Sequence, residues 1–238
     1  MSTSKPIRLR VAAVLFACCA AGPAAAANLN DGLKLSWKFS GNANDSSGHG
    51  YDGTVTDATL TKDRFGHPGS AYRFHAADAV ITTPDAPGLD PSRITVAAWV
   101  SLDSPVGFGR AVDKYLYDAK QGYNLRYDPT GKTMAFCFWG SDALEHCALT
   151  AAPATTDRWH FYVGTYDRKE QKIYVDGKLQ IRVALTTRIV QAAGHDFTVG
   201  NGNDGTMDWP LSGSVDDVRI YARALNPGEV KTLYQATK

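Results

Sequence analysis

The stretch that decides the fold is Gly213-Ser-Val-Asp-Asp-Val-Arg-Ile-Tyr-Ala-Arg-Ala-Leu225. It alternates β-branched and polar residues, which predicts a strand with Asp216 and Asp217 on opposite faces. A carboxylate that points into a packed layer must be paired, protonated or bound to a metal, because an unpaired buried charge is costly. The two acids therefore pair with Arg219 or Arg223, face solvent on an edge strand, or bind calcium.

Working outward, short runs of alternating or β-branched residues recur along the chain and predict further strands. They cover residues 33–39, 54–59, 70–74, 79–82, 94–102, 122–127, 133–139, 146–150, 158–166, 171–175 and 197–200, and a return strand runs through Leu179 and Ile181. Asp176-Gly177 predicts the hairpin turn before that return strand. Both faces of 94–102 are apolar, as expected for a central strand of a two-sheet sandwich.

A single helix is predicted, at residues 226–235. Asn226 is a favourable N-cap, Pro227 suits the first turn, and Glu229 stands where a capping box requires it. The chain is therefore expected to be all-β, with one short C-terminal helix.

Residues 1–27 resemble a secretory signal peptide, with a basic start, an apolar segment at 11–22 and small residues at 25–27. The apolar segment is too short to span a bilayer as a helix. Cys18 follows a weaker lipoprotein-like pattern, so lipid anchoring there is the minority alternative. We expect a secreted or periplasmic protein with one domain at residues 28–238.

Net charge limits the classes of partner, and cysteine content limits the possible cross-links and metal sites. Loss of the three basic residues of the signal takes the formal charge from +1 to −2, which removes the electrostatic case for nucleic acid or an anionic membrane. Cys137 and Cys147 remain after processing, and in an oxidising compartment a disulfide is the simplest expectation. A metal site is the weaker alternative.

Several segments together resemble the bacterial laminin G-like domains of the concanavalin A-like lectin/glucanase superfamily. They are Trp37-Lys-Phe39, Asp45-Ser-Ser-Gly48, Asp52-Gly53, 94–100, Trp159-His160, Ile173-Tyr-Val-Asp-Gly-Lys178, Val199-Gly200 and 213–225 with the closing helix. The resemblance implies a two-sheet antiparallel jelly-roll β-sandwich, often with one structural calcium, and a role in glycan or protein recognition.

The resemblance also implies which residues hold the calcium. They are Asp45 and Asp216, with backbone carbonyls around His49 and Gly50. Asp217 is then expected to face outward near Arg219. The alternative is that Asp45 forms an Asx-turn and Asp216 pairs with an arginine.

No enzyme motif is present in the sequence. The three glutamates Glu145, Glu170 and Glu229 are isolated, whereas retaining glucanases need two closely placed carboxylates. No Gly-x-Ser-x-Gly elbow or His-Glu-x-x-His helix occurs. Asp113 and Lys114 with Tyr115 or Tyr117 could form an unfamiliar catalytic cluster, but such clusters are usually ordinary surface. Catalysis by a small glycosidase or polysaccharide lyase is therefore the least favoured reading.

Glycan binding depends on aromatic platforms, because sugars stack their apolar C–H faces on Trp and Tyr. Trp139 and Trp209 are the candidate platforms, with Tyr115 and Tyr117 beside them; packing in the core is the alternative for each. The sequence thus predicts a secreted recognition module for carbohydrate or another surface polymer. An envelope protein-interaction or adhesion module is the rival, and the sequence does not identify the ligand.

Overall fold

A computed structural model describes residues 28–105, 107–202 and 209–238. The predicted signal peptide, including Cys18, lies outside the described residues. In chain order the elements are β1 (Leu33–Trp37), β2 (Thr54–Thr56), β3 (Thr59–Thr61), β4 (Ala71–Phe74), β5 (Val80–Thr83), a 3-10 turn (Pro87–Leu89), β6 (Ile94–Leu102), β7 (Arg110–Leu116), β8 (Gln121–Asp128), β9 (Thr133–Trp139), β10 (Glu145–Leu149), β11 (Trp159–Tyr166), β12 (Glu170–Val175), β13 (Lys178–Ala184), β14 (Phe197–Val199), β15 (Gly213–Tyr221) and α1 (Pro227–Thr237).

The strands form two antiparallel sheets. The first runs β13-β12-β11-β6-β15-β4-β3 with β1 also paired to β15, and the second runs β10-β9-β8-β7-β14-β5-β2. All the strand pairings are antiparallel, and consecutive strands often lie in different sheets. The predicted all-β two-sheet sandwich with one C-terminal helix is confirmed.

The main core lies between the inner faces of the two sheets. Ile94, Val96 and Val100 of β6 enter it from the first sheet, and Phe136 and Phe138 of β9 enter it from the second. The prediction that both faces of this central strand are apolar is confirmed, since the intervening Trp99 belongs to a separate apolar cluster.

That second cluster lies on the outer face of the first sheet, beneath α1. Val230 and Leu233 of the helix are fully buried there with Trp99 and Phe161 of the sheet. The predicted capping box is present, because the Asn226 side chain accepts from the Glu229 amide at 3.0 Å and Glu229 accepts from the Asn226 amide at 2.8 Å. The part of the first sheet beneath α1 is thus covered on both faces.

The predicted disulfide between Cys137 and Cys147 is also present. The two residues stand directly opposite each other on β9 and β10, with Cα atoms 4.2 Å apart. The link holds an outer strand of the second sheet to its neighbour.

Strand β7 was not predicted, although it lies in the middle of the second sheet between β8 and β14. Its sequence Arg-Ala-Val-Asp-Lys-Tyr-Leu carries polar residues on both faces, so it lacks the one-sided alternation of a half-buried strand. Lys114 explains the discrepancy. Its ammonium group is fully buried and pairs with Asp85 at 2.7 Å and Asp90 at 3.2 Å, so the cation on the inner face has acidic partners.

The prediction that Asp216 and Asp217 face opposite ways is wrong. Val215 and Val218 both enter the main core although they are three residues apart, which requires an extra residue between them. The extra residue makes a β-bulge opposite β6, where Asp217 has a positive φ of 48°. Both acids consequently lie on the outer face of the first sheet, where Asp217 is buried and not exposed to solvent.

Candidate functional site

The outer face of the second sheet carries a concentration of buried and half-buried polar and aromatic side chains, which we call the polar face. It is formed by residues of β7 to β10, namely Arg110, Asp113, Tyr115, Asn124, Arg126, Trp139 and Glu145. Strand pairing sets their spacing, since Asp113 stands opposite Asn124 and Glu145 stands opposite Trp139. The disulfide lies within the same face, because Asn124 is opposite Cys137.

Glu145 joins two strands of the polar face. Its Oε1 accepts a hydrogen bond from Nη1 of Arg126 at 2.7 Å and another from the hydroxyl of Tyr115. Burial alone would raise the pKa of Glu145, but these hydrogen bonds and the charge of Arg126 bring that pKa below its ordinary value. Glu145 is therefore an anion that orients Arg126 and Tyr115 at neutral pH.

Arg110 is nearly inaccessible, with 3% of its surface exposed. Its guanidinium lies 4.7 Å from the ring centre of Tyr115 and 5.6 Å from that of Trp209, and Nη1 is 3.4 Å from Asp113. Nε and Nη1 make no hydrogen bond to any described residue. Burial lowers the pKa of Arg110; Asp113 opposes this shift, and the positive charge of Arg126 adds to it.

Asn124 is fully buried between neighbouring strands, and neither its side-chain oxygen nor its side-chain nitrogen has a hydrogen-bond partner among the described residues. A buried amide in this state costs about 1–3 kcal/mol for each unsatisfied group. Native proteins tolerate few such groups, and an unmet one commonly marks a place for water or a ligand.

The predicted aromatic residues come together at this face. Trp139 stacks on Tyr115 with ring centres 6.1 Å apart, and Tyr117 meets Trp139 edge-on at 5.9 Å. Tyr117 is 52% exposed, whereas Trp139 is 7% exposed. Trp209 lies in the same region, with its ring centre 5.6 Å from the Arg110 guanidinium. Neither indole N–H has a hydrogen-bond partner among the described residues. The structure thus places the four residues together, and their ligand-binding role stays a prediction.

Sequence reasoning missed Arg110, Asn124 and Arg126 as site residues. A signal for two of them was available, because Gly122-Tyr-Asn-Leu-Arg-Tyr127 alternates strictly and puts Asn124 and Arg126 opposite the core-facing Tyr123 and Leu125. The proposed cluster of Asp113, Lys114 and Tyr115 is divided between the two faces of β7. Lys114 points to the inner side and is held by Asp85 and Asp90.

The first predicted calcium ligand, Asp45, accepts hydrogen bonds from backbone amides of its own loop and of β1. Its carboxylate accepts hydrogen bonds from the amides of Ser36 at 3.0 Å, Ser47 at 2.9 Å and Tyr51 at 3.2 Å. Burial acts to raise the pKa of Asp45, but these hydrogen bonds lower it. The Ser47 contact is an Asx-turn. Gly50 is exposed in the same loop.

The second predicted ligand, Asp216, is paired with Arg64. The Arg64 guanidinium lies between Phe65 and Trp99, at 4.6 and 4.7 Å from their ring centres, and it also donates to the Thr237 carbonyl at the end of α1. Burial raises the pKa of Asp216 to about 7, although Arg64 opposes the shift. These contacts match the alternative to calcium, and a cation at Asp216 would have to displace Arg64. The calcium site stays a prediction.

Asp217 completes this second charged group. It pairs with Arg219 at 2.8 Å, as the sequence predicts, and lies 3.9 Å from Arg64. Within the described residues, the one group of three potential metal-ligating side chains is Cys137, Glu145 and Cys147. Its two sulfur atoms are bonded to each other, so it does not offer a thiolate site.

A further polar pocket of about 280 Å³ lies at the edge of the first sheet. It contains a chain of hydrogen bonds in which His160 contacts Thr155 through Nε2 at 2.8 Å and Asp176 through Nδ1 at 2.8 Å. Asp176 also accepts from the Phe161 amide at 2.9 Å. Each polar atom in this chain has a partner, in contrast to Asn124.

No helix in the part of the chain that the structure describes has the length and apolar character needed to cross a membrane.

A family model described as the concanavalin A-like lectin/glucanases superfamily matches residues 75–231. No curated protein is similar enough to the chain to count as a match.

Solved structures share the fold. Domain 4 of AbnA, a GH43 extracellular arabinanase from Geobacillus stearothermophilus solved with arabinotriose, has a TM-score of 0.68 at 20% identity, over 85% of this chain and 98% of that domain. The binding domain of Paraclostridial Mosquitocidal Protein 1 has a TM-score of 0.69 at 15% identity, over 87% of this chain and 53% of the other. The binding domain of Botulinum Neurotoxin DC, solved with SialylT, has a TM-score of 0.64 at 14% identity, over 88% and 52%. The chain thus spans about half the length of the toxin domains.

Proposed function

Because the chain belongs to the concanavalin A-like lectin/glucanases superfamily, we propose that it is a carbohydrate-binding module whose ligand lies on the polar face. Membership alone does not select binding over catalysis, since one fold hosts many functions. The proposal therefore depends on the site.

One observation carries the proposal: Asn124 is fully buried with both side-chain polar atoms unsatisfied, in a face that also holds Trp139. Sugars present hydroxyl groups that donate and accept, together with apolar faces that stack on aromatic rings. A face that combines unmet amide groups with indole rings matches both properties. Buried amide groups need a partner, and sugar hydroxyls can both donate to and accept from the Asn124 amide.

The arabinanase domain adds support because the chain covers nearly all of it, and that domain was solved with a trisaccharide. The toxin domain solved with SialylT adds less, because it is about twice as long as the matched region. At these identities the likeness concerns the fold, so the sugar cannot be transferred from either neighbour.

A glycan screen tests the proposal. The protein without residues 1–27 is applied to a panel of polysaccharides by affinity electrophoresis, and we expect retardation by at least one of them. Trp139→Ala and Trp209→Ala should each weaken that binding by about tenfold or more, as loss of a stacking platform does at a binding hot spot.

Trp159→Ala is the matched control, since Trp159 packs at the edge of the cluster under α1 on the other sheet. Its binding should equal that of the unchanged protein. Binding that survives both Trp139→Ala and Trp209→Ala would remove the assignment of the polar face.

Two further elements of the proposal concern the cell and the metal. We propose that residues 1–27 direct secretion, and N-terminal sequencing of the protein from the culture medium or periplasm should then begin at Asn28. A mature protein that keeps the first 27 residues would contradict export by this route. A structural calcium at Asp45 and Asp216 is the second element, and its test is given in the Discussion.

A further inference from the structure

The hydrogen-bonding groups that the polar face leaves unmet are mostly donors. The atoms without a hydrogen-bond partner in the part of the chain that the structure describes include Nε and Nη1 of Arg110, Nε of Arg126, Nδ2 of Asn124, and Nε1 of Trp139 and Trp209. On the acceptor side, the amide oxygen of Asn124 is unsatisfied. A neutral sugar offers hydroxyls that donate as often as they accept. A ligand that suits this face must supply more acceptors than donors.

The two guanidinium groups are placed to share one ligand. Arg110 and Arg126 stand opposite each other on β7 and β8, and both lie close to Tyr115, at 4.7 and 6.0 Å from its ring centre. Among the described residues, Glu145 acts on both arginines, and Asp113 also acts on Arg110. Arg126 donates to Glu145 at 2.7 Å, whereas Arg110 lies 3.4 Å from Asp113 without donating to it.

The electrostatic balance of the face supports an anion. Two buried cations side by side repel each other, and the positive charge of Arg126 lowers the pKa of Arg110. Within the described residues, Asp113 and Glu145 offset these two cations to neutrality, and the exposed Lys120 adds a positive charge 5.9 Å from the Trp139 ring. An anion between the arginines would remove the repulsion and fill the empty donors.

We propose that the carbohydrate bound at the polar face carries a carboxylate, as in a polymer of uronic acids, and that Arg110 and Arg126 bind that carboxylate. This inference rests on the proposed function and names its substrate class. Arginine suits the role because its planar N–H groups match the two oxygens of a carboxylate, and charge-assisted hydrogen bonds are stronger than neutral ones. Trp139 and Tyr117 would stack on the sugar ring, and Asn124 would complete the polar contacts.

The direct test uses one polymer in two charge states. Binding of polygalacturonate is measured by calorimetry against its fully methyl-esterified form, which has the same backbone without the carboxylate charge. We expect the acid to bind more tightly than the ester by about tenfold or more. The affinity for the acid should fall as the salt concentration rises from about 50 to about 500 mM, because salt screens the attraction between the carboxylates and the arginines. Alginate and hyaluronan, each with its carboxyl-reduced form, extend the comparison to other uronates.

Variants then locate the effect. Arg110→Gln and Arg126→Gln should each weaken uronate binding by about tenfold or more, and Arg110→Lys should recover only part of it because an ammonium lacks the planar fork. Arg182→Gln is the matched control, since Arg182 is an exposed arginine on the other sheet. The acid-against-ester comparison on the unchanged protein stays decisive even where Arg126→Gln fails to fold.

The outcomes separate the two proposals. If the protein binds the acid and the ester with equal affinity, the proposal that the ligand carries a carboxylate is wrong. Binding of neutral arabinan alone through Trp139 would have the same meaning. Either result leaves the carbohydrate-binding proposal intact. Preference for dextran sulfate over every uronate overturns the carboxylate in favour of a sulfated ligand. The absence of binding to any polysaccharide overturns both.

Discussion

The two outer faces of the sandwich differ in whether their buried charged and polar groups have partners. On the first sheet, Arg64 is stacked between two rings and joins Asp216, Asp217 and the end of α1, so its charges compensate one another. On the second sheet, Arg110 and Asn124 are more deeply buried than Arg64 and have hydrogen-bonding atoms without a partner among the described residues. A charge network that is internally complete stabilises the fold, whereas one that is incomplete is available to a ligand.

Removing the central cation should show the structural role of the first face most strongly. Arg64→Ala leaves Asp216 buried without its partner, and at pH 8 we expect a loss of about 3–5 kcal/mol in the free energy of unfolding. Urea denaturation measures it. The control is Arg73→Ala, which breaks an exposed pair with Asp103 and should cost about 1 kcal/mol or less. Equal losses for both variants would contradict the account.

The disulfide lies in the polar face, and its removal tests how far that face depends on a covalent link. The double variant Cys137→Ala/Cys147→Ala should lose about 2–3 kcal/mol in unfolding free energy, because the cross-link restricts the unfolded chain. Thermal unfolding followed by circular dichroism checks it. A variant as stable as the unchanged protein under oxidising conditions would show that the link adds no stability.

The pH dependence of stability should reveal Asp216. Its pKa is raised by burial to about 7 in the folded protein, above the value of about 3.9 in the unfolded chain. Between these values the folded state holds the proton more tightly, so stability falls as pH rises from about 4 to about 7 and then levels off. Asp216→Asn should flatten this part of the melting-temperature profile. A profile that is the same with and without Asp216 would remove the effect.

Calcium addition tests whether the outer face of the first sheet also binds a metal at Asp216. The sequence-derived site predicts that calcium raises the melting temperature and that a chelator lowers it. The structure adds a condition, since Arg64 must leave Asp216 to admit the ion. Arg64→Gln should therefore increase the stabilisation by calcium, whereas Asp45→Asn should abolish it. A melting temperature that responds to neither calcium nor chelator removes the site.

The sequence predicted the fold in detail because the relevant patterns are local. The central strand 94–102, the last strand 213–221 and the capped helix all follow from alternation and capping, which neighbouring residues determine. Strand β7 was not predicted because Lys114 on its inner face is paired with Asp85 and Asp90, which lie far away in sequence. Because β7 was missed, Arg110 was not included in the predicted site.

The arrangement of the acids could not be predicted for a related reason. A one-residue bulge at Asp217 reverses the alternation of side chains between the two faces of β15. The residue with a positive φ in this bulge is an aspartate and not a glycine, so the sequence does not indicate the bulge. Arg64, the partner of Asp216, lies 152 residues earlier in the chain. Pairings over such separations depend on the folded topology, which a strand pattern alone does not specify.

The measurement that tests the central claim most directly is a comparison of stability and glycan binding in Asn124→Leu. Leu has nearly the shape of Asn without the unmet amide groups, so we expect the free energy of unfolding to rise by about 1 kcal/mol while polysaccharide binding is lost. Residues retained for function and not for stability behave in this way. A variant that is less stable and still binds the same polysaccharide would contradict the assignment of the polar face as the carbohydrate site.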